Sequence, residues 1–143
     1  MTSLTFDYYL LAVPDQVWTA ITDPAVVPQW RFGMTFQTDW AAGSRLTSRS
    51  PDGHGTVREA VPGRRLVYDW LQDDRPEANG GHPSSVAFTL TPMGPVTHLN
   101  VVHSDLEPEG AFLKVVGPGW PMILSSLKTL IETGRPLPFQ TGG

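Results

Sequence analysis

The chain has 143 residues, 40% of them apolar and 17% charged, a mixture that fits one globular domain and excludes a disordered chain. Its net charge of -4 comes from acids and bases mixed along the sequence, leaving no basic stripe for nucleic acid and no polybasic arm for a membrane. With no cysteine there are no disulfides, thiolate nucleophiles or cysteine-ligated zinc, and the expected location is a reducing cytoplasm.

Residues 1–7 carry neither a charged leader nor a sustained apolar stretch, so no signal peptide is expected, and no apolar run approaches membrane-spanning length. Residues 4–13 are rich in aromatic and aliphatic side chains and stop at Pro14, which predicts a first strand. A short helix follows over Asp15–Thr22, with Val17, Trp18 and Ile21 on one face. Asp23-Pro24 starts a second short helix that ends near Trp30, Asp23 acting as its N-cap and Pro24 as its first helical residue.

From Met34 the apolar period changes to two: Met34, Phe36, Thr38 and Trp40 alternate with Thr35, Gln37 and Asp39. Ala42-Gly43 turns the chain into a polar strand over 44–50, and Pro51-Asp52-Gly53 turns it again into His54–Val61. Pro62-Gly63 leads to Arg64–Gln72. The segment Asp73–Pro83 is the longest irregular connection and is expected to be mobile. Ser84–Thr91 and Val96–Ser104, joined by Pro92-Met93-Gly94-Pro95, complete six consecutive strands.

A long helix closes the chain over Gly119–Gly134. Trp120, Ile123, Leu124, Leu127 and Ile131 share a face, Pro121 suits the first turn, Gly134 suits a left-handed residue after the last, and Pro136 blocks resumption. Burying that stripe is worth roughly 10 kcal/mol gross, so the helix needs a partner surface. The apolar face of an antiparallel meander supplies one. The predicted fold class is α+β: a helix-grip fold of about seven strands in the order β-α-α-β6-α, a curved antiparallel sheet around the terminal helix. One domain is expected over 1–143, with its core at about 5–134 and a tail at 135–143.

Five segments occur in an order that resembles a known group: Val17-Trp18-Thr19-Ala20-Ile21-Thr22-Asp23-Pro24, Asp39-Trp40-Ala41-Ala42-Gly43-Ser44, Pro62-Gly63-Arg64-Arg65-Leu66, Thr97-His98-Leu99-Asn100-Val101-Val102-His103-Ser104 and Gly119-Trp120-Pro121-Met122-Ile123-Leu124. With the order of elements, they resemble the SRPBCC or START-like (Bet v 1-like) superfamily, and within it the branch named after the activator of the heat-shock-protein-90 ATPase. The superfamily includes lipid carriers, plant hormone receptors, polyketide aromatase/cyclases, an enediyne self-resistance protein and the chaperone activator. The resemblance implies a cavity between sheet and helix.

Alternation assigns faces to the strands. Leu99, Val101 and His103 share one face, as do Val86, Phe88 and Leu90, and Leu66, Tyr68 and Trp70; Val57 and Val61 carry Glu59 inward with them. The expected lining is aromatic with a few polar groups: Glu59, Tyr68, His103, Thr38 and Ser48. The candidate ligand-binding residues are Trp30, Phe36, Thr38, Trp40, Val57, Glu59, Tyr68, Trp70, Phe88, Val101 and His103, with Trp120, Ile123, Leu124 and Leu127 from the helix. Glu59 and His103 are the catalytic candidates.

Gly53-His54-Gly55 is explained by its hairpin rather than by phosphate binding, since no helix follows it. The histidines at 54, 82, 98 and 103 have no metal-site spacing, and no G-x-S-x-G elbow occurs, so neither a metal nor a cofactor is expected. Three functions remain, in this order: binding of a small hydrophobic or aromatic ligand; general acid/base catalysis on a polyketide-like carbonyl substrate through Glu59 and His103; and, on the resemblance alone, a co-chaperone-like interaction with a heat-shock-protein ATPase. An apolar strip on an edge strand could also support a homodimer.

Overall fold

In the computed structural model, which describes residues 1–139, the chain forms β1 (Thr2–Leu10), α1 (Pro14–Thr22), α2 (Val27–Trp30), β2 (Thr35–Gln37), β3 (Arg45–Arg49), β4 (Gly53–Val61), β5 (Arg65–Gln72), a 3₁₀ turn (Pro76–Asn79), β6 (Ser84–Met93), β7 (Val96–Leu106) and α3 (Ala111–Thr133). The strands make one antiparallel sheet in the order β1-β7-β6-β5-β4-β3-β2. Strands β2 to β7 are the predicted meander, and β1 joins it by pairing with the last strand. The helix-grip architecture is therefore present: α3 lies across the curved sheet, and Trp120, Leu124 and Leu127 are buried with Leu66, Phe88, Leu99 and Val101.

The second half of α3 is tied down by polar contacts as well. Lys128 Nζ donates to the Tyr9 carbonyl at 2.6 Å and to Glu132 at 2.7 Å, and Glu132 accepts the Leu11 amide at 2.8 Å. Gly134 ends the helix at φ 84°, its amide donating to the Leu130 carbonyl at 2.8 Å, as its position predicted. The tail then folds back, with the Leu137 amide donating to the buried Ser126 hydroxyl at 3.3 Å. Residues 140–143 of the expected tail lie outside the described residues.

Several boundaries differ from expectation for identifiable reasons. Helix α3 starts at Ala111, eight residues before Gly119, and runs through Pro118 and Pro121. Pro121 is thus interior, not in the first turn. Each proline removes one backbone donor, and the helix continues because both rings lie on its exposed side. Asp23 closes α1 instead of opening α2: its amide donates to the Thr19 carbonyl, while its carboxylate accepts the Ala25 amide. Regular α2 begins only at Val27. Strand β1 stops at Leu10, and β2 stops at Gln37, so Thr38 and Trp40 leave the ladder and Trp40 takes a positive φ of 55°.

The connection expected to be mobile is organised around Asn79. Its side-chain amide donates to the carbonyls of His82 at 3.0 Å and Asp105 at 3.1 Å, and its oxygen accepts the Glu107 amide at 2.9 Å. Buried and with these partners satisfied, Asn79 fastens the 3₁₀ turn to the end of β7.

The largest correction is in β4. Val57 faces Tyr68 and Glu59 faces Val67, so a β-bulge at Arg58 inserts one residue and reverses the facing of everything after it. Val57 is buried and Ala60 packs on the core, whereas Glu59 and Val61 point outward. Glu59 pairs with Arg65 at 3.0 Å, both side chains more than 40% exposed.

Candidate functional site

A pocket of about 380 Å³ opens between the first half of α3 and the concave side of β5, β6 and β7. Along α3 its wall is made by Phe112, Val115, Val116, Gly119 and Ile123, positions that recur every three or four residues on one helical face. Opposite stand Tyr68 and Trp70 from β5, Ser84 and Val86 from β6, and His103 from β7. Arg31 and Met34 close the end next to α2, and Ala78 of the 3₁₀ turn closes another side.

His103 is buried, as alternation along β7 predicted, and both of its ring nitrogens are occupied. The Trp120 indole can only donate, so its 2.9 Å contact makes His103 Nδ1 an acceptor. The ring proton must therefore sit on Nε2 and be donated to Ser84 Oγ, 2.7 Å away. Burial, helped by the nearby Arg31 charge, pulls the His103 pKa down to about 3. The imidazole is neutral at physiological pH, and the Ser84 hydroxyl proton is left free to donate.

Arg31 follows Trp30 at the end of α2, where its amide closes the last turn on the Val27 carbonyl at 3.1 Å. One guanidinium nitrogen donates to the Tyr68 hydroxyl at 3.0 Å. The rest of the group lies among aromatic rings, 5.1 Å from the centroid of Phe36, 5.3 Å from Trp120 and 5.5 Å from Trp30. Its Nε is buried with no hydrogen-bond partner, and among the described residues no carboxylate lies within 4 Å of it.

Of the residues singled out in the sequence, Tyr68, Trp70, His103, Trp120 and Ile123 line this pocket. Trp30, Phe36, Val57, Phe88, Val101, Leu124 and Leu127 are buried in the core behind it, and Ser48 is buried beneath Trp70, whose indole it accepts at 2.7 Å. Thr38 and Trp40 are only partly buried and do not reach the pocket; the Trp40 indole donates instead to the Thr22 carbonyl at 2.9 Å. Glu59 is on the far side of the sheet, so it cannot act on a molecule that His103 touches. Replacing it, as Glu59→Gln, is expected to change stability by no more than about 0.5 kcal/mol and to leave ligand affinity unaltered, which thermal melts and titrations would check.

Sequence reasoning missed Arg31 and the part of the pocket wall on α3 that precedes Trp120. The wall was detectable: continuing the stripe of Ile123 backwards through Gly119, Val116 and Phe112 requires only that Pro121 not be taken as a start. Arg31 carried no periodic signal. Among the described residues no group of three or more histidine and carboxylate side chains is arranged to hold a metal ion, and no helix is long and apolar enough to cross a membrane.

A curved antiparallel sheet gripping a long C-terminal helix, with two short helices after the first strand, defines an SRPBCC (Bet v 1-like) protein. Within that class the chain belongs to the family described as activator of Hsp90 ATPase homolog 1-like protein, whose sequence profile matches residues 11–132. Its backbone is similar to that of CalU16 from Micromonospora echinospora, at 28% identity and a TM-score of 0.77, over 95% of this chain and 77% of that one. It is also similar to an Aha1 from Colwellia psychrerythraea described as a dimer, at 19% identity and a TM-score of 0.78, over 94% of this chain and 98% of that one. An HSP90 activator from Plasmodium falciparum matches at 18% identity and a TM-score of 0.76, over 92% of this chain and 96% of that one. None of the curated proteins matches it in sequence.

Proposed function

We propose that this protein binds a small, largely apolar molecule in the pocket between α3 and the sheet. The observation that carries this reading is a space of about 380 Å³ whose wall is mainly aromatic and aliphatic, interrupted by a few oriented polar groups. Side chains that could have filled it do not: Gly119 sits in the middle of the wall, and a β-carbon placed there meets no atom within 4 Å.

Joint acid/base catalysis by Glu59 and His103 has no geometric support, because the two lie on opposite faces of the sheet and the imidazole is occupied on both nitrogens. Likeness to an Aha1 and to an HSP90 activator at 18–19% identity is a likeness of fold, so binding is the better supported reading.

The test is titration with N-phenylnaphthylamine, a neutral apolar fluorophore. Saturable one-to-one binding is expected, with quenching of tryptophan emission, since Trp70 and Trp120 border the pocket, and with a rise in melting temperature. A linear, non-saturating response would remove the proposal.

A further inference from the structure

Among the described residues, the buried side-chain nitrogen or oxygen atom left without a hydrogen-bond partner is Arg31 Nε. Half-buried among Trp30, Phe36 and Trp120, the Arg31 guanidinium is a cation in largely apolar surroundings. Such a charge is costly unless paired, and buried arginines ordinarily face a carboxylate. Here the protein supplies one phenolic oxygen, from Tyr68 at 3.0 Å, and leaves Nε without a partner.

The rest of the pocket has the same sign. The chain as a whole has 14 acidic and 10 basic residues, yet among the described residues the charged ones on the pocket wall are Arg31 and Arg75, and no aspartate or glutamate faces the space. Ser84 adds a neutral donor: its oxygen is occupied by the His103 Nε2 proton, so its own proton is available to the pocket it lines. The Trp120 indole, by donating to His103 Nδ1, keeps that direction of donation fixed.

Building on the binding reading above, we infer that the pocket is selective for hydrophobic monocarboxylates, with the carboxylate held by Arg31 and Ser84 and the apolar body lying along Phe112, Val116 and Ile123. A carboxylate would supply the charged acceptor that the guanidinium lacks. A neutral ligand of the same shape would leave Arg31 as uncompensated as it is without one.

The experiment compares naphthalene carboxylate with its primary amide, two probes of nearly equal size, by calorimetric titration of the full chain at neutral pH. The acid is expected to bind about tenfold or more tightly than the amide, as a charge-assisted hydrogen bond allows. Arg31→Met, which keeps an unbranched apolar side chain among the rings, is expected to bring the acid down to the affinity of the amide, with thermal unfolding of the same preparation checking that the variant is folded. Equal affinity for acid and amide in the native protein, or an undiminished preference in Arg31→Met, overturns the assignment. If the neutral fluorophore binds and the acid is not preferred, only the role of Arg31 falls. If neither the fluorophore nor the acid binds, the pocket reading falls with it.

Discussion

Replacing Gly119 with leucine is expected to give a protein that folds at least as stably as the native one and no longer binds apolar ligands. Gly119 lies within α3, where glycine is the poorest helix former after proline, so Gly119→Leu gains roughly 0.5–1 kcal/mol of helix propensity. Nothing opposes the gain sterically, since a β-carbon at that position meets no atom within 4 Å. The added side chain enters the stripe formed by Phe112, Val116 and Ile123 and occupies the space a ligand would need. Affinity for N-phenylnaphthylamine should fall by about 100-fold or more, more than losing a single contact would cost. Fluorescence titration and thermal unfolding of the same preparation separate the two effects. Unchanged affinity would mean that the fluorophore binds elsewhere.

Acid should destabilise the protein well before most carboxylates titrate, and His103 is the reason. Its pKa is about 3 in the folded protein against 6.5 for an unperturbed histidine, so between those values the unfolded chain binds the extra proton. Stability from this group is therefore complete above about pH 6.5 and falls as the pH drops toward 3, by on the order of 4–5 kcal/mol in all at about 1.4 kcal/mol per pH unit. The structural cause is direct. A second ring proton would sit on Nδ1, facing the Trp120 indole proton that Nδ1 now accepts.

His82 acts in the opposite sense but in a different window. Its contact with Glu107, and then the Pro83 carbonyl, raise its pKa, so its contribution is complete below about 6.5 and is lost as the pH rises above that. Asp7, Asp39 and Glu132 have lowered pKa values from their hydrogen-bond donors, which moves their losses to still lower pH. The interval from about pH 6.5 to 5 thus belongs mainly to His103. His103→Gln offers a neutral carbonyl to Trp120 and an amide proton to Ser84, and it is expected to flatten the decline across that interval in urea unfolding series. An equally steep decline in His103→Gln would assign the acid sensitivity to another group.

The large-scale order was readable because it rests on signals that tertiary packing reinforces. Alternation of Leu99, Val101 and His103, and of Leu66, Tyr68 and Trp70, matches a sheet with one buried face, and each of these residues is buried. Glu59 defeated the same rule. A bulge changes the phase of alternation without changing composition, so Val57 and Val61 looked like one face when they lie on two. Pro121 misled for a related reason: proline favours a first turn statistically, yet the rings of Pro118 and Pro121 lie on the exposed face of α3, where the helix tolerates them. Arg31 had no pattern to reveal it, because its placement depends on where α2 ends and on three rings brought together from separate elements.

Those two prolines divide α3 mechanically. Helical cooperativity is carried by the ladder of amide-to-carbonyl bonds, and in α3 the rungs that would run from residues 118 and 121 back to 114 and 117 are missing. Melting the turns around Phe112 and Val116 therefore need not propagate into the stretch beyond Trp120, which Leu124, Leu127, Lys128 and Glu132 fasten to the sheet. One helix is in this way two mechanical units: an anchored shaft that carries the fold, and a first half whose fraying need not unfold the protein around it.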